Sequence, residues 1–254
     1  MISLLAGGDE ALKAAASAAG QSFALSDVKL EAPVQRPGKV MAIGLNYADH
    51  VAETGRDLPP NQIWFTKAVT SIAGPTDAIL NPSVSDMVDY EAELVVIIGK
   101  RARHIPKDRA HEVIAGLCIG NDVSVRDWQS RSPQFVIGKS FDSHAPIGPW
   151  ITTLDEAGDP HDQTVKTWVN GDLRQDSNTE HLIFNCFDQI AELTSVMTLE
   201  PGDVIFTGTP SGVGAAMDPP QFLKDGDIVK IEIGNLGAIE NPVIDEDKQT
   251  IIGN

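Results

Sequence analysis

Short apolar runs dominate the hydrophobic pattern of the chain, and most of them have the length of a strand rather than of a helix. Residues 94–98 (Leu-Val-Val-Ile-Ile) are continuously apolar and rich in β-branched side chains, which predicts a strand buried on both faces. Residues 228–233 alternate in part and predict a strand with one more exposed face. Residues 40–43 predict the first buried strand of a main domain, and Asn170-Gly171 predicts a hairpin turn.

Helical spacing is confined to a few segments. Residues 107–117 and 179–196 predict helices. In the second of these, apolar side chains recur every three or four positions and form one face: Leu182, Ile183, Cys186, Phe187, Ile190, Leu193 and Val196. The Ala-rich residues 10–19 predict a short helix that ends at Gly20.

Gly and Pro recur between the apolar runs, so the pattern predicts a β-rich α+β fold with few helices rather than an alternating βαβ array. A connector that contains Pro33 and Pro37 precedes the first predicted strand. We therefore place a domain boundary there, which gives a small N-terminal portion (residues 1–39) and a main domain (residues 40–254).

The composition limits the partners and the compartment. Acidic residues outnumber basic ones, 36 to 19, and the formal net charge is −17; because nucleic acids and anionic membranes bind through an excess of Lys and Arg, neither is predicted as a partner. No apolar stretch reaches the roughly 20 residues that cross a bilayer, and no basic segment precedes the short apolar run at the N-terminus, so no secretory signal is predicted. Cys118 and Cys186 lie within apolar runs and are expected to be buried free thiols in a cytoplasmic protein.

Two acidic residues at the start of the 94–98 run are the first candidates for chemistry. Glu91 and Glu93 stand two apart, so in a strand both carboxylates point to one face. Side by side they repel unless a proton or a cation lies between them, and oxygen-only ligands favour Mg²⁺, Mn²⁺ or Ca²⁺. Taken alone, the Glu-x-Glu pattern is more often a solvated acidic strand end than a metal site.

Asp122 and Lys139 strengthen the metal hypothesis. Asp122 follows the apolar residues 115–119 in a Gly-Asn-Asp turn, where a carboxylate often only caps the turn. With Glu91 and Glu93, however, it completes a set of three oxygen ligands that leaves positions open for water and substrate. Three carboxylates exceed the charge of one dication, so a nearby cation is expected. Lys139 is the candidate, and without such a partner it would be an ordinary surface lysine.

His50 and Glu53 form the candidate acid–base pair. They stand three apart, so in a helix they share a face, and the carboxylate can orient the imidazole and raise its basicity. Most histidines at this distance from a glutamate make only a local pair. The remaining histidines show no comparable context and are expected to be structural or exposed: His104, His111, His144, His161 and His181.

A glycine-rich loop at residues 207–214 invites a phosphate-binding interpretation that its sequence does not support. It lacks the Gly-Lys-Ser/Thr ending of a P-loop and the third glycine of a dinucleotide fingerprint. A backbone-lined anion or carboxylate site remains open, with Thr209 as a donor. Trp64, Trp128 and Phe135 are candidates for apolar pocket contacts, although large aromatic side chains more often belong to the core.

Many of these residues belong to motifs that resemble the fumarylacetoacetate hydrolase family over roughly residues 40–245. The matching motifs, in chain order, are Gly44-Leu45-Asn46-Tyr47 with His50 and Glu53, Phe65-Thr66-Lys67, Asp89-Tyr90-Glu91-Ala92-Glu93-Leu94, Asn121-Asp122-Val123-Ser124-Val125-Arg126-Asp127-Trp128-Gln129, Gly138-Lys139-Ser140-Phe141-Asp142, Pro146-Ile147-Gly148-Pro149, Val169-Asn170-Gly171, Pro201-Gly202-Asp203-Val204-Ile205 and Thr207-Gly208-Thr209-Pro210. So many motifs in one order make chance an inadequate explanation. The residues before them resemble only the family's variable N-terminal portion.

The resemblance implies rolled, mixed β-sheets, usually in a homodimer, and a Mg²⁺ or Mn²⁺ site on Glu91, Glu93 and Asp122 for which Ca²⁺ could substitute. It also implies that His50 and Glu53 lie on a mobile segment that closes over the substrate. The residues that it implies for substrate handling are the active-site lysine Lys139 and the substrate contacts Gln129, Arg126, Thr209 and Tyr47.

The activity that the resemblance implies is metal-dependent hydrolysis of a C–C bond in a diketo acid of the fumarylacetoacetate or acylpyruvate type. The metal would stabilise the enolate, and His50, oriented by Glu53, would activate the attacking water. The alternative is a metal-dependent lyase or isomerase on the same scaffold: an oxaloacetate decarboxylase, an oxaloacetate tautomerase or a ureidoglycolate lyase. A third hypothesis is a non-catalytic metal- or ligand-binding module, which the complete acidic set and the His–Glu pair disfavour.

Overall fold

The computed structural model describes residues 1–253 and shows a strand-rich α+β fold with curled sheets and few helices, as predicted. The strands are β1 Val40–Gly44, β2 Ile63–Thr66, β3 Ile72–Ala73, β4 Ile79–Asn81, β5 Val88–Asp89, β6 Ala92–Ile98, β7 Ile114–Asn121, β8 Ser124–Val125, β9 Ala145–Thr152, β10 Thr164–Val169, β11 Asp172–Asn178, β12 Val204–Phe206, β13 Ile228–Ile233 and β14 Ala238–Asp245. The α-helices are α1 Ile2–Ala6, α2 Gly8–Ala16, α3 Ala48–Glu53, α4 Arg126–Gln129, α5 Leu154–Ala157 and α6 Cys186–Val196. Short 3₁₀ helices span Leu25–Asp27, Val69–Ser71, Lys107–Val113, Val136–Lys139, Thr179–His181 and Gly214–Ala216.

Two mixed sheets carry most of the strands. Within residues 1–253, the larger sheet has the order β2-β1-β12-β6-β7-β9-β3, and the smaller has the order β11-β10-β13-β14-β4. In the larger sheet β1 runs parallel to β12 and β3 runs parallel to β9, whereas the other neighbouring pairs, β2–β1, β12–β6, β6–β7 and β7–β9, are antiparallel. In the smaller sheet the pairing is antiparallel except between β14 and β4. Strands β5 and β8 form a separate antiparallel pair. In the chain, β5 comes directly before β6, and β8 comes directly after β7.

Strand β6 is buried along its whole length near the middle of the larger sheet. Its side chains alternate between two apolar clusters: Leu94 and Val96 belong to the core shared with the smaller sheet, and Val95 and Ile97 belong to a second cluster on the opposite face. The prediction of a strand buried on both faces is therefore confirmed.

Residues 1–39 contribute to the second apolar cluster. Leu5, Ala32 and Val34 are buried there beside Val95 of β6. The N-terminal portion thus covers one face of the larger sheet, and its independence as a domain stays a prediction.

The helix predicted over residues 107–117 is wrong. The structure has a 3₁₀ helix at Lys107–Val113, after which β7 begins at once. The residues of β7 are continuously apolar and lie between two neighbouring strands, and this burial on both sides overrides the helical spacing. A side chain at Gly116 would collide with the backbone carbonyl oxygen of Thr152 in β9. Gly116 therefore permits the close approach of β7 and β9.

The helix predicted over residues 179–196 is shorter than expected. It begins at Cys186 because Asn185 caps it: the Asn185 side chain accepts hydrogen bonds from the backbone N–H groups of Phe187 and Asp188, each 3.0 Å long. The Asp188 carboxylate in turn accepts one from the Asn185 N–H at 3.2 Å, which completes a capping box.

Other predicted features are confirmed. Asn170 and Gly171 both have positive φ, 53° and 85°, as a tight turn between β10 and β11 requires. The Ala-rich helix is present as α2, although it spans Gly8–Ala16 and ends before the predicted Gly20. Cys118 and Cys186 are buried free thiols.

Protonation of the buried His144 side chain is expected to lower the stability of the protein in acid. The side chain is fully buried, its Nε2 lies 2.8 Å from the Leu80 carbonyl oxygen, and burial lowers its pKa from 6.5 to about 4. Because the unfolded chain then takes up the proton first, the stability from this group is complete above pH 6.5 and is lost as the pH falls to about 4, up to ~3 kcal/mol. Urea unfolding should show that, between about pH 7.5 and pH 5, the free energy of unfolding falls by ~2 kcal/mol less in His144→Gln than in the unaltered protein. Equal pH dependence in both proteins would contradict this.

Candidate active site

A cavity of about 410 Å³ brings together most of the residues singled out by their chemistry. Its apolar lining consists of Ile43, Leu45, Phe65, Phe135, Val213, Ala215 and Ala216. Its polar and charged lining consists of His50, Glu53, Thr54, Arg56, Glu91, Glu93, Arg126, Gln129, Ser130, Lys139 and Thr209. A few converging polar groups in a partly apolar cavity are typical of a site for a small organic ligand. Of the aromatic candidates, Phe135 lines the cavity, whereas Trp64 and Trp128 pack against the main core.

The pairing of β6 with β7 brings the three predicted carboxylates together. Glu91 precedes β6 and Glu93 lies within it, while Asp122 directly follows β7; the Asp122 N–H donates to the Glu91 carbonyl oxygen at 2.8 Å. All three residues are buried, and each offers an oxygen within 4.8 Å of the others. Asp122 lies behind the surface of the cavity and does not line it.

Three cationic side chains contact this acidic cluster, but Arg126 is shared with Asp89, so three positive charges face four carboxylates. Lys139 Nζ lies 2.6 Å from Glu91 Oε2 and 2.7 Å from Asp122 Oδ2, so it occupies the position expected for a compensating cation. Arg126 Nη1 lies 2.6 Å from Glu91 Oε1, and its Nε donates to Asp89 at 2.8 Å.

Lys67 is the functional residue that sequence reasoning missed. Its Nζ lies 2.6 Å from Asp122 Oδ1, and both side chains are completely buried. Burial lowers the pKa of Lys67, although Asp122 opposes that shift. The signal in the sequence was the Phe-Thr-Lys motif at the end of β2, to which no role was given.

The carboxylates differ in how well they are compensated. Burial alone would raise the pKa of Glu91, but Lys139 and Arg126 hold it far below its usual range. Glu93 has no such partner: burial, Asp122 and Glu91 raise its pKa well above the usual value, and its nearest donor is the Gly208 N–H at 2.7 Å. Glu93 is thus the position at which positive charge is missing.

This donor set fits a divalent metal ion. It is buried, it offers only oxygen atoms, and it is short of one positive charge at Glu93. Hard cations such as Mg²⁺, Mn²⁺ and Ca²⁺ prefer such ligands. Glu91, Glu93 and Asp122 are therefore the residues that would hold the ion.

His50 and Glu53 pair as their spacing predicts. Both lie on α3, and His50 Nδ1 is 2.7 Å from Glu53 Oε1. The second oxygen of Glu53 accepts a hydrogen bond from the Gly212 N–H at 2.9 Å, which fixes the carboxylate. With Nδ1 occupied, Nε2 is the ring nitrogen of His50 available to a ligand in the cavity.

The proposed substrate contacts fall into two groups. Arg126, Gln129 and Thr209 line the cavity; the Gln129 side-chain oxygen accepts from Arg126 at 3.0 Å, and the Thr209 hydroxyl accepts from Gln175 at 2.9 Å. Tyr47 does not line the cavity. It precedes α3 in an extended conformation, and its side chain is completely buried in the interior, so this geometry does not support a substrate contact.

Comparison with known proteins places the chain among one set of relatives. Residues 39–244 match the family profile described as "Fumarylacetoacetate (FAA) hydrolase C-terminal". The chain is 44% identical over 248 residues to the rat (Rattus norvegicus) protein named oxaloacetate tautomerase Fahd2a, mitochondrial, covering 96% of this chain and 79% of the relative. It is 43% identical over 242 residues to the Xenopus laevis oxaloacetate tautomerase fahd2, mitochondrial, covering 93% and 76%.

Solved structures agree with this placement. A putative HpcE protein from Mycobacterium smegmatis superposes with a TM-score of 0.90 at 40% identity, covering 97% of this chain and 88% of the other. A 2-hydroxyhepta-2,4-diene-1,7-dioate isomerase from Mycobacterium marinum gives a TM-score of 0.79 at 37% identity, covering 90% of this chain and 82% of the other.

Within the described residues, no helix combines the length and the apolar character that crossing a membrane requires.

Proposed function

The chain belongs to the fumarylacetoacetate hydrolase family, and from this premise we propose that it is a divalent-metal-dependent tautomerase or isomerase of 2-oxo dicarboxylic acids such as oxaloacetate. The observation that carries the proposal is an oriented imidazole that lines the same cavity as Glu91 and Glu93, which with Asp122 behind the cavity surface form an incompletely compensated carboxylate cluster. The names of the relatives support this alternative better than the C–C hydrolase that the sequence first predicts.

The reaction needs a proton to move between carbon and oxygen of a 2-oxo acid. A bound dication would supply positive charge to the oxygen on which negative charge develops. His50, held by Glu53, is placed to take the proton from the carbon next to the ketone through Nε2, after which the C–H electron pair forms the C=C bond. Return of that proton to the former ketone oxygen gives the enol.

The remaining polar residues are proposed to bind and orient the acid. The Thr209 hydroxyl, which already accepts a bond from Gln175, keeps its proton for a substrate carboxylate. Lys139 and Arg126 fix Glu91 in place and add positive charge beside the reacting oxygens. The apolar wall, which includes Phe65 and Phe135, limits access of water to them.

Hydrolysis of an acylpyruvate is the second candidate, because the His50–Glu53 pair can serve it as well. An imidazole with its Nδ1 held at 2.7 Å by a carboxylate can also remove a proton from water. The hydroxide formed would add to the acyl carbonyl, and the C–C bond would then break to give the carboxylic acid and the enolate of pyruvate, which takes up the proton. The same residues therefore serve either reaction.

Three finer expectations remain part of the proposal. We propose Mg²⁺ or Mn²⁺ as the ion, since the donors are all oxygen. The homodimer implied by the resemblance stays a prediction. So does the cytoplasmic compartment, because several relatives are named as mitochondrial proteins.

Proton NMR of metal-stripped protein, with and without added Mg²⁺ or Mn²⁺, tests the proposal. Enol oxaloacetate and acetylpyruvate serve as substrates, and excess chelator serves as the control for each. Faster enol–keto exchange of oxaloacetate that requires both protein and metal supports the tautomerase. Metal-dependent acetate and pyruvate from acetylpyruvate would favour the hydrolase instead, and pyruvate from oxaloacetate a decarboxylase. Unchanged spectra for both substrates would overturn the proposed substrate class.

A further inference from the structure

We propose that Asp49 is a positioning residue: its contact with Ser211 holds α3 on the glycine-rich loop so that His50 faces the acidic cluster. The inference rests on the proposed function for its catalytic consequence, but the contact itself is defined by geometry. Asp49 Oδ2 accepts a hydrogen bond from the Ser211 hydroxyl at 2.9 Å and lies 3.4 Å from the Ser211 backbone nitrogen. We call this contact the Asp49–Ser211 clasp.

Helix α3 is short, so its position depends on a small number of contacts with the rest of the protein. It has six residues, far fewer than an isolated helix requires for stability. Its start is fixed by Asn46, whose side-chain amide donates to the Phe184 and Thr207 carbonyl oxygens at 2.9 and 2.7 Å. At its end the Glu53 carboxylate accepts a hydrogen bond from the Gly212 N–H at 2.9 Å, and residues 54–58, which follow the helix, are exposed.

The loop that contains Ser211 is held in place by close packing and by hydrogen bonds. Gly212 has a φ of +99°, and a side chain there would collide with the backbone of Arg174. Further along the same loop, the Gly214 and Ala215 N–H groups donate to the two oxygens of the fully buried Asp89 at 2.8 and 2.9 Å. The clasp therefore adds a second contact, beside that of Glu53 with Gly212, between a short helix and a loop that is itself held by hydrogen bonds.

Asp49 and Glu53 act on the same loop from one face of α3. They stand four apart, so their carboxylates lie on adjacent turns, and they accept from Ser211 and Gly212 respectively. Glu53 also holds the His50 ring, so its replacement would disturb chemistry and position together. Asp49 does not touch the His50 ring and does not line the cavity, but its Oδ1 accepts a hydrogen bond from the His50 N–H at 2.8 Å, so Ser211→Ala is the variant that removes the clasp alone.

Hydrogen exchange of the peptide around α3, followed by mass spectrometry, measures the clasp without reference to activity. We expect Asp49→Ala and Ser211→Ala each to speed exchange of the α3 amides by up to about tenfold, as loss of one charge-assisted hydrogen bond allows. The double variant should add little, because both changes break the same contact. Asp57→Ala is the matched control: this acid lies in the exposed segment after α3 and makes no hydrogen bond or ion pair within the described residues.

Kinetics then test the consequence. In Asp49→Ala we expect kcat for oxaloacetate tautomerisation to fall by about tenfold, with unchanged metal affinity and unchanged melting temperature. Unaltered exchange in both single variants would overturn the clasp, and additive effects in the double variant would show that the residues act separately. Faster exchange with unaltered kcat would overturn the positioning role. If the unaltered protein does not act on oxaloacetate, the proposed function fails, while the exchange result still decides the clasp.

Discussion

A Glu93→Gln variant is expected to bind Mg²⁺ or Mn²⁺ about a hundredfold more weakly than the unaltered protein while the metal-free protein keeps its stability. Glu93 has no ammonium or guanidinium partner within the described residues, and burial with Asp122 and Glu91 raises its pKa, which favours the protonated acid in the metal-free protein. Gln has nearly the shape and charge of that protonated acid, so its substitution costs the metal-free protein little. With metal the acid must ionise, and Gln cannot.

Calorimetric titration with the metal alone and thermal unfolding with and without metal measure the two parts of this prediction. Unaltered protein should gain stability with metal concentration, because the ion binds the folded state, and the variant should lose that gain. Glu91→Gln is the matched comparison: it breaks the ion pairs with Lys139 and Arg126, so it should also destabilise the metal-free protein. Equal metal affinity in Glu93→Gln and the unaltered protein would rule out Glu93 as a ligand.

The acidic cluster was predictable from the sequence because each of its members lies at a strand end. Glu91 and Glu93 mark the start of an unmistakable apolar run, and Asp122 marks the end of another. Their meeting follows once the two runs pair antiparallel, the commonest arrangement of neighbouring strands. The His50–Glu53 contact was predictable for a similar reason, since it depends only on spacing within one helix.

Lys139 was predicted as a partner of the cluster, but Lys67 was not predictable by the same means. Lys67 meets Asp122 across 55 positions, and nothing local indicates which strand end β2 will approach. Tyr47 shows the opposite error: it belongs to a motif that forms the site, but strand-like backbone before α3 turns its ring into the interior. Motif membership locates a segment, whereas the direction of each side chain depends on the tertiary fold.

The choice between hydrolase and tautomerase could not come from these residues either. Both reactions require negative charge to develop on the oxygen of a 2-oxo acid and a base positioned by α3. They differ in whether the base removes a proton from carbon or from water, and His50 Nε2 faces the cavity in either case. Relatives with named activities were therefore needed to favour one.

A His50→Ala variant is expected to keep metal affinity and melting temperature but to lose a hundredfold or more in kcat for the reaction that the NMR test identifies, since a positioned general base contributes roughly 10²- to 10⁴-fold. His50 touches Glu53 but none of the three carboxylates in the cluster, so the loss should be confined to proton transfer. His181→Ala, at a half-exposed histidine outside the cavity, is the matched control.

Added imidazole sharpens the test of His50. The Ala variant leaves a space beside Glu53 that free imidazole can enter, so partial recovery of kcat that saturates with imidazole would identify the missing group as a base rather than a packing element. The same addition should leave the unaltered protein and the His181→Ala control unchanged. Persistent activity in His50→Ala would remove the imidazole from the mechanism. Because metal affinity is measured on the same sample, that outcome would still leave Glu91, Glu93 and Asp122 as the candidate metal site.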